Sequence, residues 1–103
     1  MIKSTIYFGR GITWEDGTKD EVTYMNWIGF LKEVVDKHYE GYSWFEAAGV
    51  WKGEHEDTYV LVIIHEKAVE EAQSITQIVE AYKELYNQEA VLIETAEVRT
   101  ALV

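Results

Sequence analysis

GYSWFEAAGVWKGEHEDTYVLVIIH, residues 41–65, is the stretch on which the reading of this chain turns. Its opening part, residues 41–53, carries Trp44, Phe45 and Trp51 in a run bounded by glycines. GEHED, 53–57, contains no apolar residue, and TYVLVIIH, 58–65, is rich in β-branched side chains. The pattern predicts two antiparallel strands joined by a turn at GEHED. Successive side chains of a strand take opposite faces, so Trp44, Glu46, Ala48 and Val50 share one face and Phe45, Ala47, Gly49 and Trp51 the other. In the second strand Tyr59, Leu61 and Ile63 alternate with Val60, Val62 and Ile64. Both strands are thus apolar on both faces, which a sheet with one solvated face does not require.

Upstream, IKSTIYF (2–8) alternates Ile2, Ser4, Ile6 and Phe8 with Lys3, Thr5 and Tyr7, a first strand. Residues 9–21 hold three glycines without periodicity and read as a long loop. Thr18 and Glu21 have capping-box spacing, and Val22, Met25, Ile28, Leu31 and Val35 recur at helical intervals, predicting a helix over about 19–40. Downstream, Ala68, Ala72, Ile75, Val79, Tyr82 and Tyr86 predict a second helix that stops at Asn87 in a left-handed conformation. AVLIETAEVRTALV, 90–103, predicts the last strand. The order β-α-β-β-α-β in a single domain, 1–103, is that of an α+β, ferredoxin-like split βαβ fold: a four-stranded antiparallel sheet with two helices on one face. The uncovered face then needs an occupant. A second copy is the simplest one, which predicts a homodimer or higher homo-oligomer with Trp44, Trp51 and Leu61 at the interface.

Nineteen acidic against nine basic side chains give a formal charge of −10, which repels nucleic-acid backbones and acidic membrane surfaces. No apolar run approaches the length of a membrane span. With no cysteine there is no disulfide framework or thiolate chemistry, and the cytosol is the expected compartment. His38, His55 and His65 lack metal-ligand spacing, and no nucleophile elbow, phosphate loop or dinucleotide glycine pattern occurs. No catalytic residue, metal or cofactor is therefore assigned from the sequence.

What remains is an excess of aromatics and one glycine-flanked cation. Arg10, between Gly9 and Gly11, can pair with an anionic group, and Trp14 in the same loop can stack on a planar ring. With Tyr7, Trp44 and Tyr59 they form the expected pocket of a non-enzymatic binding protein for a small, planar, anionic, nucleotide-like ligand. Two other readings stand beside it. One is an acidic protein that blocks a basic partner surface; the other is a cofactor-free enzyme of the dimeric α+β-barrel type, with His65 and Tyr59 acting on the open sheet face.

GYSWFEAAGVWKG, the following YVLVII and the closing AYKELYNQEAVLIETAEV resemble an uncharacterised small domain family of bacteria and their phages, matching at Gly41, Gly49, Trp51, Lys52 and Gln88. The likeness spans roughly residues 22–98, with Glu40 standing where the family usually has proline. It implies a ferredoxin-like fold and supplies no activity. A phage origin would make sequestration of a nucleotide-derived host immune signal a coherent role, since it needs affinity and no catalysis.

Overall fold

A computed structural model describes all residues, 1–103. The principal elements are β1 (Ile2–Gly9), α1 (Tyr24–Glu33), β4 (Ser43–Trp51), β5 (Glu54–His65), α2 (Val69–Tyr86) and β6 (Leu92–Glu97). Between β1 and α1 lies a short hairpin, β2 (Gly11–Thr13) with β3 (Lys19–Glu21). The molecule is α+β. Its main sheet has four strands in the order β4-β5-β1-β6, and every neighbouring pair is antiparallel.

Register fixes the two faces. Ser4 pairs with Ile63, Ile6 with Leu61 and Phe8 with Tyr59, and Trp44 pairs with Leu61 on the other side of β5. These residues face the helices, where Trp27, Phe30 and Leu31 of α1 and Ile75, Ile78, Val79 and Tyr82 of α2 complete one core cluster. Aromatic rings dominate it. Trp27 stacks on Tyr59 at 4.8 Å between centroids, and Phe8 lies 4.5 Å from Tyr82. The opposite face carries Tyr7, Val60, Val62 and Phe45, with Val60 fully buried at its centre. There Phe45, Trp51, Ile64 and Leu92 remain 50%, 48%, 40% and 58% exposed.

Five local expectations change. The last strand covers only Leu92–Glu97 of the expected 90–103. Residues 9–21 are a hairpin instead of a structureless loop: Asp16 accepts from the Thr18 amide at 2.9 Å and Gly17 supplies φ +87°, so the chain reverses between β2 and β3. The capping box is Thr23 with Asn26, not Thr18 with Glu21, because Thr18 and Glu21 are taken up by that hairpin. α1 ends early at the β-branched pair Val34 and Val35, where a 3-10 turn, Val35–Lys37, replaces its last turns. GEHED is not the turn either. Lys52 and Gly53, both at positive φ (51° and 79°), reverse the chain, as two-residue hairpin loops do, and EHED continues as β5. Asn87 does close α2 in the left-handed conformation, φ 51° and ψ 46°. No helix is long and apolar enough to cross a membrane.

Candidate functional site

Where β1 ends, the β4–β5 hairpin overshoots it and α2 hands over to β6, leaving a cavity of about 380 Å³. Its floor is made of residues with little or no side chain, Gly9, Ala47 and Gly49, while Tyr7, Trp51 and Leu92 supply apolar walls. The small floor makes room for the Glu56 side chain. A β-carbon at Gly9 would overlap Glu56 Oε1 and approach Gln88 Oε1 to 3.2 Å, and one at Gly49 would lie 3.2 Å from the Glu56 carbonyl oxygen. The Glu56 carboxylate thus rests against bare backbone. Burial pushes its pKa up from the ordinary glutamate value.

The far wall is tied down by side-chain to main-chain bonds. Asn87 Nδ2 donates to Thr13 O at 2.7 Å, and Gln88 Nε2 donates to Gly11 O at 2.9 Å and Tyr86 O at 3.0 Å. Tyr82 Oη donates to Gly9 O at 2.6 Å, fixing the β1 terminus to α2 from the buried side. At the rim Lys52 Nζ pairs with Glu89 at 3.3 Å and sits 6.0 Å above the Trp51 ring. Tyr7 Oη donates to Glu94 at 3.3 Å, and burial followed by the Glu94 charge raises its pKa. No group of three or more His, Asp or Glu side chains is placed to hold a metal ion.

The structure does not assemble the five expected ligand residues. Of the five only Tyr7 lines the cavity, joined there by Trp51, which was expected at an interface; Trp44 and Tyr59 lie on the other face of the sheet, packed edge to face at 6.0 Å beneath the helices. Arg10 is committed internally. It pairs with Glu21, lies 4.0 Å from Glu46, donates from Nε to Val22 O at 3.1 Å and stacks 4.7 Å over the Tyr59 ring. Trp14 sits at the tip of the β2–β3 hairpin, 37% exposed, and does not line the cavity. The expected interface set divides too. Leu61 is fully buried and Trp44 packs against Trp27 and Tyr59, so neither is available to a second sheet, whereas Trp51 stays on the open face. Tyr59 and His65 also face the helices, so they form no pair on the open face.

Glu56, Gln88 and Gly9 are the residues that the sequence reading missed as site residues. Their signal is the hairpin register: a turn at Lys52 and Gly53 sets Glu56 opposite Gly49, and a turn at GEHED hides this. The same two-residue turn places Trp51 opposite Glu54 at the cavity edge.

The chain belongs to a family of proteins of unknown function, DUF3574, whose model matches residues 3–102. This DUF3574 member also shares its fold with a solved structure of a phage SAM lyase in complex with S-methyl-5'-thioadenosine. The TM-score is 0.68 at 18% identity, with 93% of this chain and 80% of that chain covered. At that identity the likeness is one of fold. No curated protein matches the chain.

Proposed function

We propose that this DUF3574 protein is a ferredoxin-like binding protein whose cavity at the Gly9 end of the sheet holds a nucleoside-sized ligand. The observation that carries the reading is the cavity itself. Its volume of about 380 Å³ falls in the range of small-ligand sites, and a half-buried carboxylate meets an aromatic wall over a floor cleared of side chains. A base stacked on Trp51 would contribute on the order of 1 to 3 kcal/mol.

Charge decides the ligand class. Glu56 and Glu89 line the cavity, the nearby Lys52 is already paired with Glu89, and Arg10 is paired elsewhere. A phosphate entering there would face carboxylates within a chain of net charge −10. The ligand is therefore a neutral or cationic nucleoside derivative, in place of the anionic one that Arg10 first suggested. The ligand of the structural neighbour is consistent with this class, since S-methyl-5'-thioadenosine is an uncharged nucleoside thioether. The exposed apolar side chains of the open face, Trp51 among them, support a homo-oligomer in which a second copy covers that face and closes the cavity mouth. Retention without turnover would sequester such a compound, the role that suits a phage-type protein.

Calorimetric titration with adenosine, S-methyl-5'-thioadenosine, S-adenosylmethionine and AMP tests the proposal. At least one of the first three is expected to bind more tightly than AMP, and Trp51→Ala and Glu56→Gln each to weaken that binding about tenfold or more, equivalent to about 1.4 kcal/mol. Recovery of the bound compound intact supports sequestration, and recovery of a product replaces it with catalysis. Failure of all four to bind, or a preference for AMP, overturns the assignment.

A further inference from the structure

A second chemical group occupies the opposite end of the sheet. Ile2 pairs with His65 and Ser4 with Ile63, so Ser4 and His65 are diagonal neighbours on the helix-covered face. Ser4 Oγ lies 2.6 Å from His65 Nε2, and His65 Nδ1 lies 2.9 Å from Glu66 O. A carbonyl oxygen only accepts, so Nδ1 carries a proton; in the neutral ring Nε2 then offers its lone pair to the Ser4 hydroxyl. This is the tautomer a serine nucleophile needs, with the base oriented through its other nitrogen.

The pair opens on a separate cavity of about 240 Å³, bounded by Ile2, Ala68, Ala72 and Ile75, with Glu66, Lys67 and Thr95 as its polar lining. Ala68 precedes α2 and no side chain caps that helix, so its first-turn N–H groups have no side-chain acceptor. Ser4 is only 1% exposed, which restricts access to what this cavity admits. The aliphatic side formed by Ile2, Ala68, Ala72 and Ile75 suits a short acyl chain.

We propose that Ser4 and His65 are a nucleophile and general base for hydrolysis of short-chain carboxylic esters. Nε2 takes the Ser4 proton as Oγ bonds to the acyl carbon. Collapse of the tetrahedral adduct breaks the bond from that carbon to the alkoxy oxygen, and the alcohol leaves with the proton from Nε2. Water then attacks the acyl-serine, giving a proton to Nε2, and the carboxylic acid departs as Oγ recovers that proton. Ester and water become alcohol and acid, with no redox partner.

The protein is treated with a fluorophosphonate and, separately, with p-nitrophenyl acetate. The expected results are a mass adduct mapped to Ser4 by tandem mass spectrometry, and nitrophenol release that falls at least tenfold in both Ser4→Ala and His65→Gln. The adduct is measured on the unaltered chain and does not depend on either variant folding. An unmodified Ser4 after exposure to the fluorophosphonate, or release unchanged in a folded Ser4→Ala variant, overturns the proposal and leaves the contact as a satisfied buried hydrogen bond.

Discussion

Replacing Gly9 by Ala separates what the cavity floor does for stability from what it does for binding. The added methyl would overlap Glu56 Oε1, with Glu56 Cδ at 3.0 Å and Gln88 Oε1 at 3.2 Å. All three atoms are at the far ends of flexible side chains, and Gly9 does not use the positive φ that an L residue resists. The strain can therefore be relieved by rotating the Glu56 carboxylate, at about 0.5 to 1.5 kcal/mol if it ends off-rotamer. Ala in place of a strand glycine returns about 0.5 to 1 kcal/mol through lower chain entropy in the unfolded state. The net is within about 1 kcal/mol, a shift of less than roughly 8 °C in Tm for a domain of this size. Binding responds differently. A carboxylate turned out of the cavity loses a charge-assisted hydrogen bond of about 1.5 to 3 kcal/mol, so affinity for a neutral or cationic nucleoside should fall roughly 10- to 150-fold. Thermal unfolding and calorimetric titration of one preparation measure both. Destabilisation beyond about 3 kcal/mol would show that the backbone absorbs the clash, and undiminished affinity in the folded variant would refute the role given to Glu56.

Three further outcomes follow from the packing. Burial raises the Glu56 pKa in the folded state, so stability linked to its protonated form is full below the unfolded value of about 4.3 and is lost as pH rises through the higher folded value; Glu56→Gln should therefore raise Tm at pH 7 and lose that advantage below about pH 4. Leu61→Ala, at a fully buried position, should cost about 2 to 5 kcal/mol in denaturant unfolding, and a cost below about 1 kcal/mol would contradict its place in the core. Trp51→Glu should reduce the sedimentation mass to one chain, and a one-chain mass for the unaltered protein would remove the open-face interface altogether.

The sheet was legible because its signals are local. Alternation in residues 2–8, 44–51 and 58–65 indicates the strand faces, and helical spacing indicates the core stripe of α2. The hairpin between β1 and α1 was not legible. β2 and β3 have three residues each, too short for periodicity, and they are held partly by Asn87 and Gln88 from the far end of the chain. The turn at Lys52 and Gly53 was missed for a related reason: the charged run after it resembles a loop by composition, while the conformational demand falls on the two residues before it. That single shift hid Glu56, because only correct register sets its side chain over Gly9 and opposite Gly49.

Arg10 illustrates a limit of another kind. In the sequence it stands isolated between glycines, which makes a scarce cation look free to meet a ligand. Its carboxylate neighbours, Glu21 and Glu46, come from β3 and β4 and are brought to it only by the tertiary fold. Its guanidinium is largely covered by the Tyr59 ring side of the core, where an unpaired charge would be costly. With 19 acids to 9 bases, a cation that turns inward readily finds a carboxylate, whereas many carboxylates are left without a cation. The scarce charge is thus the one consumed by folding, and the abundant one is left for recognition. On that logic the side chain to examine in such an acidic domain is the carboxylate that burial has perturbed, and here that is Glu56.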